Sequence, residues 1–440
     1  MRVIVATGLN SGAAEYKNIG DVAMLQVAVR RLLCLWPDAR VEVLTDSPSE
    51  LARYCPEAFP LPRSGCACWM TDHVLLGRYH QLLPGWVSER LSTLKWVIGT
   101  RWPVLLEYLT QAKLRRRDPK GLLAYCTAFL NAEKHCDLMI VCGSGGFADS
   151  SREWNLFILG AITGALDRGK KVAMLGQGVG PLTDPLVLSW ARRVLPRVSL
   201  IGFRGTKGGR KLLEDMGVGP SRILMTGDDA LELGQETNMN ATRCAIGVNL
   251  RSAPYSNVDV SHIADLRGIL HDAARKYNAD LLPIPITSHE YADDRESIRQ
   301  LLEGFDDNSD GGTDLDTPLK VVEQTARCRV VVTGAYHAAV FALGIGIPVI
   351  CLFNSSYYAA KFEGLEESFR PGCWIISLKE PDCAEKLAAA LDDAWISADY
   401  LREKLLGSAK IQIEAGRSAY RRLKNLDYSR KLDERVVSHT

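Results

Sequence analysis

From Val330 to Ala360 the chain carries no charged side chain except the titratable His337. An unbroken apolar run of about 18 residues is enough to span a bilayer, but this one is interrupted twice. Thr333-Gly334 ends a β-branched strand, Ala338 to Leu343 reads as a short helix, and Gly344-Ile-Gly-Ile-Pro348 stops that helix and opens a second strand. Strand, crossover helix and strand, apolar throughout, is the pattern of a parallel sheet covered on both faces. His337 falls where the helix begins, just past the carboxyl end of the first strand, and Lys361 falls in the loop after the next strand. Open parallel sheets bind ligands at that rim, and helix N-termini offer N–H groups to anions. A histidine on an apolar helix is also compatible with a satisfied core residue.

The same rhythm precedes the central stretch. Met1 to Gly8 reads as a first strand, too short in its apolar part for a signal peptide. A helix from Val22 to Leu35 and a strand from Val41 to Thr45 complete a βαβ opening, with Asn18, Gly20 and Asp21 in or beside its first loop. Asp21 fits two roles: a carboxylate favoured by the helix dipole, or an acid or base facing a ligand. Leu138 to Cys142 runs into Gly143-Ser144-Gly145-Gly146, and Lys171 to Leu175 into Gly176-Gln177-Gly-Val-Gly-Pro181. Further strands end at Arg204 and at Gly227-Asp228-Asp229. After a polar, non-periodic stretch the alternation restarts, with Arg251 ending the strand from Ala245 and a rim loop holding His289, Asp293 and Asp294.

The expected fold class is therefore α/β, with two Rossmann-like domains whose parallel sheets face a central cleft. Residues 1–236 form the first, 237–243 the linker and 244–385 the second. Residues 386–440 read as charged helices that close one domain or cross back to the other. A cleft with both carboxyl rims facing it is the expected ligand site.

Lys plus Arg number 53 against 52 for Asp plus Glu, which leaves no general basic field and argues against nucleic acid as a partner. The 12 cysteines hold one close pair, Cys66-Ala-Cys68, and no Cys-x-x-Cys. That pattern suits reduced thiols in a cytoplasm and no zinc site. Paired carboxylates such as Asp228-Asp229 and Asp293-Asp294 suit helix caps or hydroxyl ligands, so no metal is expected. Between residues 60 and 120 the rhythm breaks, with Trp69, Trp86, Trp96 and Trp102 leading into Lys113-Leu-Arg-Arg-Arg117. This insertion fits amphipathic helices covering the first sheet with a solvated basic end. It also fits peripheral membrane contact through 86–117, at the inner face of a membrane.

Taken in order, these motifs resemble the polysaccharide pyruvyltransferase family, whose members have a GT-B-like fold. Asn18-Ile-Gly-Asp21 resembles the family's opening Gly-Asn-x-Gly-Asp loop, and Gly143-Ser-Gly-Gly146 its Gly-rich loop. Gly176-Gln-Gly-Val-Gly-Pro181 is similar to Gly-Gln-Gly-x-Gly-Pro, Phe203-Arg204 to the Arg-Asp strand end, and Asp228-Asp229-Ala230 to the later aspartate turn. Gly334-Ala-Tyr-His337-Ala resembles Arg-x-His-Ala, and Lys361-Phe-Glu-Gly-Leu365 resembles Lys-x-x-Gly-Leu. Three positions depart: Lys17 stands where the family has glycine, Gly205 replaces the aspartate after Arg204, and Ala335 replaces an arginine of the phosphoenolpyruvate site.

The resemblance implies a transferase that moves pyruvyl from phosphoenolpyruvate to sugar hydroxyls in cell-surface polysaccharide biosynthesis, with phosphoenolpyruvate as co-substrate and no cofactor. It assigns His337 as acid or phosphate-binding group and Asp21 as base or acceptor ligand. Arg204, Lys361, Arg251 and Tyr336 would hold the donor. Asn18, Gly143, Ser144, Gly145 and Gln177 would hold a nucleotide- or lipid-linked sugar acceptor. Arg204, Arg251 or Lys17 would replace the missing cation. Two other readings suit the same residues: a GT-B glycosyltransferase using a nucleotide sugar, and a non-catalytic relative that binds a glycan or an anion.

Overall fold

The structure is a computed structural model. It describes all residues except 9–13, 67–82, 85, 88–89, 92–93, 95–96, 99–100, 117, 119–120, 206, 237–242, 254–255, 259, 291 and 438–440. The expected linker, apart from Arg243, lies outside the described residues, as do Cys68, Trp69, Trp96 and Arg117.

Fourteen strands are present among the described residues. β1 (Arg2–Ala6), β2 (Arg40–Leu44), β3 (Phe59–Leu61), β4 (Leu138–Val141), β5 (Lys171–Gly178), β6 (Leu200–Arg204) and β7 (Ile223–Met225) form a seven-stranded sheet of order β3-β2-β1-β4-β5-β6-β7. Every pairing in it is parallel. β8 (Ala245–Asn249) and β9 (Asp280–Pro283) belong to a second sheet, and a small antiparallel hairpin of β10 (Ser288–His289) and β11 (Ala292–Asp293) follows. β12 (Cys328–Thr333), β13 (Val349–Phe353) and β14 (Cys373–Ser377) complete the second sheet, of order β14-β13-β12-β8-β9, again all parallel. β-branched runs such as Val-Ile-Val in β1 and Val-Val-Val in β12 make these strands, because both sheet faces are covered.

The strand order reverses between β1 and β4 in the first sheet and between β8 and β12 in the second. Chain leaving adjacent strands in opposite directions opens a crevice at each such point. The residues that leave these four strands are Thr7-Gly8, Gly143 to Gly146, Arg251, and Gly334 to His337.

The helices, in order, are α1 (Ile19–Leu35), α2 (Pro48–Tyr54), α3 (Pro103–Arg116), α4 (Leu122–His135), α5 (Arg152–Asp167), α6 (Pro185–Val194) and α7 (Lys207–Asp215) with the first sheet. They continue with α8 (Val260–Tyr277), α9 (Asp294–Leu302), α10 (Pro318–Ala326), α11 (Tyr336–Gly344), α12 (Ser356–Phe369) and α13 (Cys383–Val437). One apolar core joins the inner faces of both sheets through α1, α11 and α13, with Val5, Leu25, Val331, Phe341 and Leu405 among its members. α11 packs on a 3-10 segment at Asp229–Glu236, which carries the first half against the second.

Two expectations are corrected. The end of the chain is a single helix of 55 residues, α13, which packs on β12, β13 and β14 and also on α1 and β5. Lys361 lies inside α12 and not in a loop. Ser355 caps that helix by accepting from the Tyr358 N–H, so the helix starts straight after β13.

Candidate functional site

The sequence Asn18-Ile-Gly-Asp21 starts α1 and meets the second half of the chain. Asn18 is the N-cap, its Oδ1 accepting from the N–H of Gly20 at 3.1 Å and of Asp21 at 3.4 Å. The Ile19 N–H donates to the Ile286 carbonyl at 2.8 Å, and the Ser288 N–H to the Lys17 carbonyl at 2.9 Å. The start of α1 is thus stitched to the rim after β9. A Cβ on Gly20 would lie 1.9 Å from His337 Nδ1. Only glycine lets the helix backbone approach the imidazole so closely.

His337 sits in the first turn of α11 and is buried. Its Nε2 is 3.4 Å from Arg204 Nη1 and 3.7 Å from Asp228 Oδ2. Arg204, at the end of β6, is ion-paired with Asp228, and its guanidinium lies 4.8 Å from the Tyr336 ring centre. Burial, reinforced by the positive charges of Arg204, Lys361 and Arg251, holds His337 well below its usual pKa. The imidazole is therefore neutral at neutral pH. Asp21, with only partial access to solvent, is pushed the other way: withdrawal from water raises its carboxyl to about 6, against the pull of Arg204, Lys361 and Arg251.

The second half supplies a cation in an aromatic setting. Lys361 Nζ lies 4.2 Å from the ring centre of Tyr357, 5.6 Å from Tyr336 and 5.8 Å from Tyr358. Tyr357 and Tyr358 precede Lys361 by four and three residues, the spacing that places side chains on one helix face. Across the cleft, a Cβ on Gly145 would stand 2.5 Å from the ammonium, and the Tyr357 hydroxyl donates to the Gly145 carbonyl at 3.2 Å. Arg251 is committed to a carboxylate: its Nε and Nη2 donate to Asp294 at 2.6 and 2.9 Å. Asp294 also accepts from Asn249 Nδ2 and from the N–H groups of Ile286 and Thr287, each at 3.0 Å, and so fixes the rim that touches α1.

These groups enclose a cavity of about 420 Å³. Asn18, Asp21, Ser144, Gly145 and Arg204 line it from the first half, and Arg251, Tyr336, His337 and Lys361 from the second. Nine of the eleven residues expected at the site are therefore brought together. The other two are not. Gln177 is fully buried because β5 runs on to Gly178, and its Nε2 donates to the carbonyls of Val141, Cys142 and Leu175 at 3.0, 2.8 and 3.1 Å. It pins the ends of β4 and β5 instead of facing an acceptor. Gly143 packs between strands, where a Cβ would meet the Gly176 carbonyl oxygen at 2.7 Å. Lys17 does not reach this cavity either; it lines a separate one of about 160 Å³ beside Arg53 and Arg295. Among the described residues no three metal-ligating side chains converge.

Asp228 does cap the 3-10 segment after β7, its Oδ1 accepting from the Ala230 N–H at 2.8 Å; sequence reasoning missed its ion pair with Arg204 and the tyrosine pair of α12. The signal for the tyrosines was present in their spacing to Lys361. For Asp228 the signals were its place after β7 and the aspartate turn it shares with Asp229 and Ala230; the pairing with Arg204 joins two different strand ends and leaves no local mark.

Two parallel sheets with their carboxyl rims around one cavity define a GT-B-like α/β fold. Solved structures of that fold are similar along nearly the whole chain. A Listeria monocytogenes structure provisionally assigned as a UDP-N-acetylglucosamine 2-epimerase has a TM-score of 0.54 at 13% identity, covering 97% of this chain and 95% of that one. The S. aureus MnaA–UDP structure gives 0.53 at 12%, covering 98% and 97%. The UDP-GlcNAc 2-epimerase of Methanocaldococcus jannaschii gives 0.50 at 11%, covering 97% and 100%. At these identities the likeness defines the fold alone. Comparison with curated protein sequences gave no match. A family model for polysaccharide pyruvyl transferases matches residues 18–356, and the chain belongs to that family. It is by that membership a transferase of polysaccharide biosynthesis, with a sugar or polysaccharide acceptor.

Proposed function

We propose that the cavity binds phosphoenolpyruvate and transfers its pyruvyl group to two hydroxyls of a nucleotide- or lipid-linked sugar as a cyclic ketal. The observation that carries this reading is the convergence of cations with two oppositely shifted proton carriers, Asp21 raised to about 6 and His337 lowered. A carboxylate and a phosphate on one small molecule call for several positive charges. Lys361 meets none of the described carboxylates in an ion pair and is the natural anchor for one anionic group. Arg204, held in place by Asp228, serves the other.

Resemblance assigned the acid role to His337 and the base role to Asp21. The electrostatics favour the reverse, because two groups pushed in opposite directions divide the acid and base work. A bound anion raises Asp21 further, so its carboxyl delivers a proton to the methylene carbon of the donor. That carbon becomes a methyl group and positive charge develops at C2. A sugar hydroxyl attacks C2 and passes its proton to neutral His337, whose imidazolium is then favoured by Asp228 and by the donor phosphate. The neighbouring hydroxyl attacks the same carbon, the C2–O bond to phosphate breaks, and inorganic phosphate leaves with the second hydroxyl proton. The His337 proton returns through water to Asp21, which balances the cycle. Ala335, buried at the start of α11, adds no charge; Lys361 supplies it from the same side of the cavity, while Arg251 stays paired with Asp294.

Thermal unfolding with phosphoenolpyruvate and with UDP-sugars tests the donor. A ligand at about 100 times its Kd adds about 2.7 kcal/mol of stability. Stabilisation by phosphoenolpyruvate is expected. Stabilisation by a UDP-sugar alone would replace this reading with a nucleotide-sugar glycosyltransferase.

A further inference from the structure

Helix α3 is amphipathic with its faces exchanged. Its inward face buries Leu106 and Leu114 together with Glu107 and Thr110, while Val104, Leu105, Tyr108 and Leu109 point outward, 45–66% exposed. A helix with one face in water normally turns its polar residues there. The expectation of amphipathic helices covering the first sheet with a solvated basic end holds for Leu106, which joins that sheet's core, and for the exposed bases; the outward apolar face of α3 was not expected. Glu107 is accommodated inside by an ion pair with Arg168 of the α5 C-terminus. The outward residues have no such compensation in water. Trp102 and Trp86 add two further exposed aromatic rings to the same segment.

The exposed charges of this helix and of Arg101 before it are of one sign. Arg101 stands beside the Trp102 ring at 5.9 Å, and Lys113, Arg115 and Arg116 occupy the last turn. Among the described residues from 101 to 116 the only acid is Glu107, which faces inward. The whole chain has a net charge of only +1, so this basic field is local.

We propose that the outward face of α3 docks the protein on an anionic lipid bilayer. The helix lies in the headgroup plane, Val104, Leu105, Tyr108 and Leu109 enter the acyl boundary, and Lys113, Arg115 and Arg116 meet lipid phosphates. Aromatic rings beside bases suit that boundary, where one part of the side chain is apolar and the other wet. A second copy of the chain fits less well. It would bring the same bases against themselves, and no exposed acid of the helix is there to neutralise them. The inference is independent of the reaction proposed for the cavity.

Flotation of the full-length protein with vesicles tests it, using phosphatidylcholine alone and a phosphatidylcholine–phosphatidylglycerol mixture at low and high salt. Binding to the anionic vesicles and not to the neutral ones is expected. Arg115→Gln with Arg116→Gln should weaken it roughly 30-fold, about fivefold for each base. Leu105→Ser with Leu109→Ser should remove it with only a small loss of melting temperature, since both side chains are already about half exposed in the unbound protein. No binding to anionic vesicles would overturn the proposal. So would a wild-type dimer in sedimentation that the double serine variant converts to monomer.

Discussion

Two of the inward-facing groups of carboxylates and cations among the described residues, set side by side, separate a site from a scaffold. One joins Asp21, Asp228, Arg204, His337 and Lys361 across the cleft. The other joins Glu107, Glu133 and Arg168 beneath α3, with Arg168 Nη1 2.8 Å from Glu133 Oε2. Burial raises a carboxyl in both, Asp21 to about 6 and Glu133 to about 8. The more perturbed acid is thus the one outside the cleft. Glu107 and Glu133 face a single arginine and line neither cavity described above. A shifted pKa marks a functional group only where the group also faces space that a ligand can enter.

The comparison can be broken most decisively at His337. His337→Ala should cost about 10²–10⁴-fold in turnover, measured as phosphate release, while urea unfolding stays near wild type. Arg168→Met should do the opposite. Removing the partner of two buried carboxyls costs about 3 kcal/mol of stability, read from the urea midpoint, and activity per folded molecule stays unchanged. A large activity loss in Arg168→Met would mean that the two groups are coupled.

A third test uses the sign of the shifts. The Asp21 carboxyl has a folded pKa of about 6 against an ordinary value of 3.8, so it takes up a proton on folding. Its contribution to stability is present below about 4 and is lost as pH rises through about 6. Asp21→Asn should therefore be more stable than wild type at neutral pH, by up to about 3 kcal/mol, and inactive. The gap should close as the pH of the melting experiment is lowered toward 4. Glu133→Gln should show the same sign, with its gap still widening up to about pH 8, and should keep full activity. The smallest effect is expected for Asn18→Ala, about 1 kcal/mol for the lost N-cap, seen as a slightly lower melting temperature.

Much of the fold was legible because a parallel sheet covered on both faces needs apolar β-branched strands, and β1, β4 and β12 announce themselves. His337, Asp21 and Arg204 were legible as candidates because His337 and Asp21 open helices that follow a strand and Arg204 ends one, at the rim where such sheets bind ligands. Gln177 was not, since a polar residue in a glycine turn looks exposed until β5 is seen to continue through it. The exchanged faces of α3 were hidden for a related reason. Glu107 reads as a surface residue until Arg168, 61 positions away, is found inside with it. The length of α13 was not legible either, because local pattern says where helix is favoured and not which two sheets one helix will bridge.

The most direct measurement is phosphate release from phosphoenolpyruvate by the purified protein, with nucleotide- and lipid-linked sugars as acceptors and the products weighed by mass spectrometry. Release that depends on a sugar acceptor, with a product heavier by a pyruvate ketal, is the predicted result. No release with any acceptor, together with consumption of a nucleotide sugar, would contradict the assignment of phosphoenolpyruvate to the cavity.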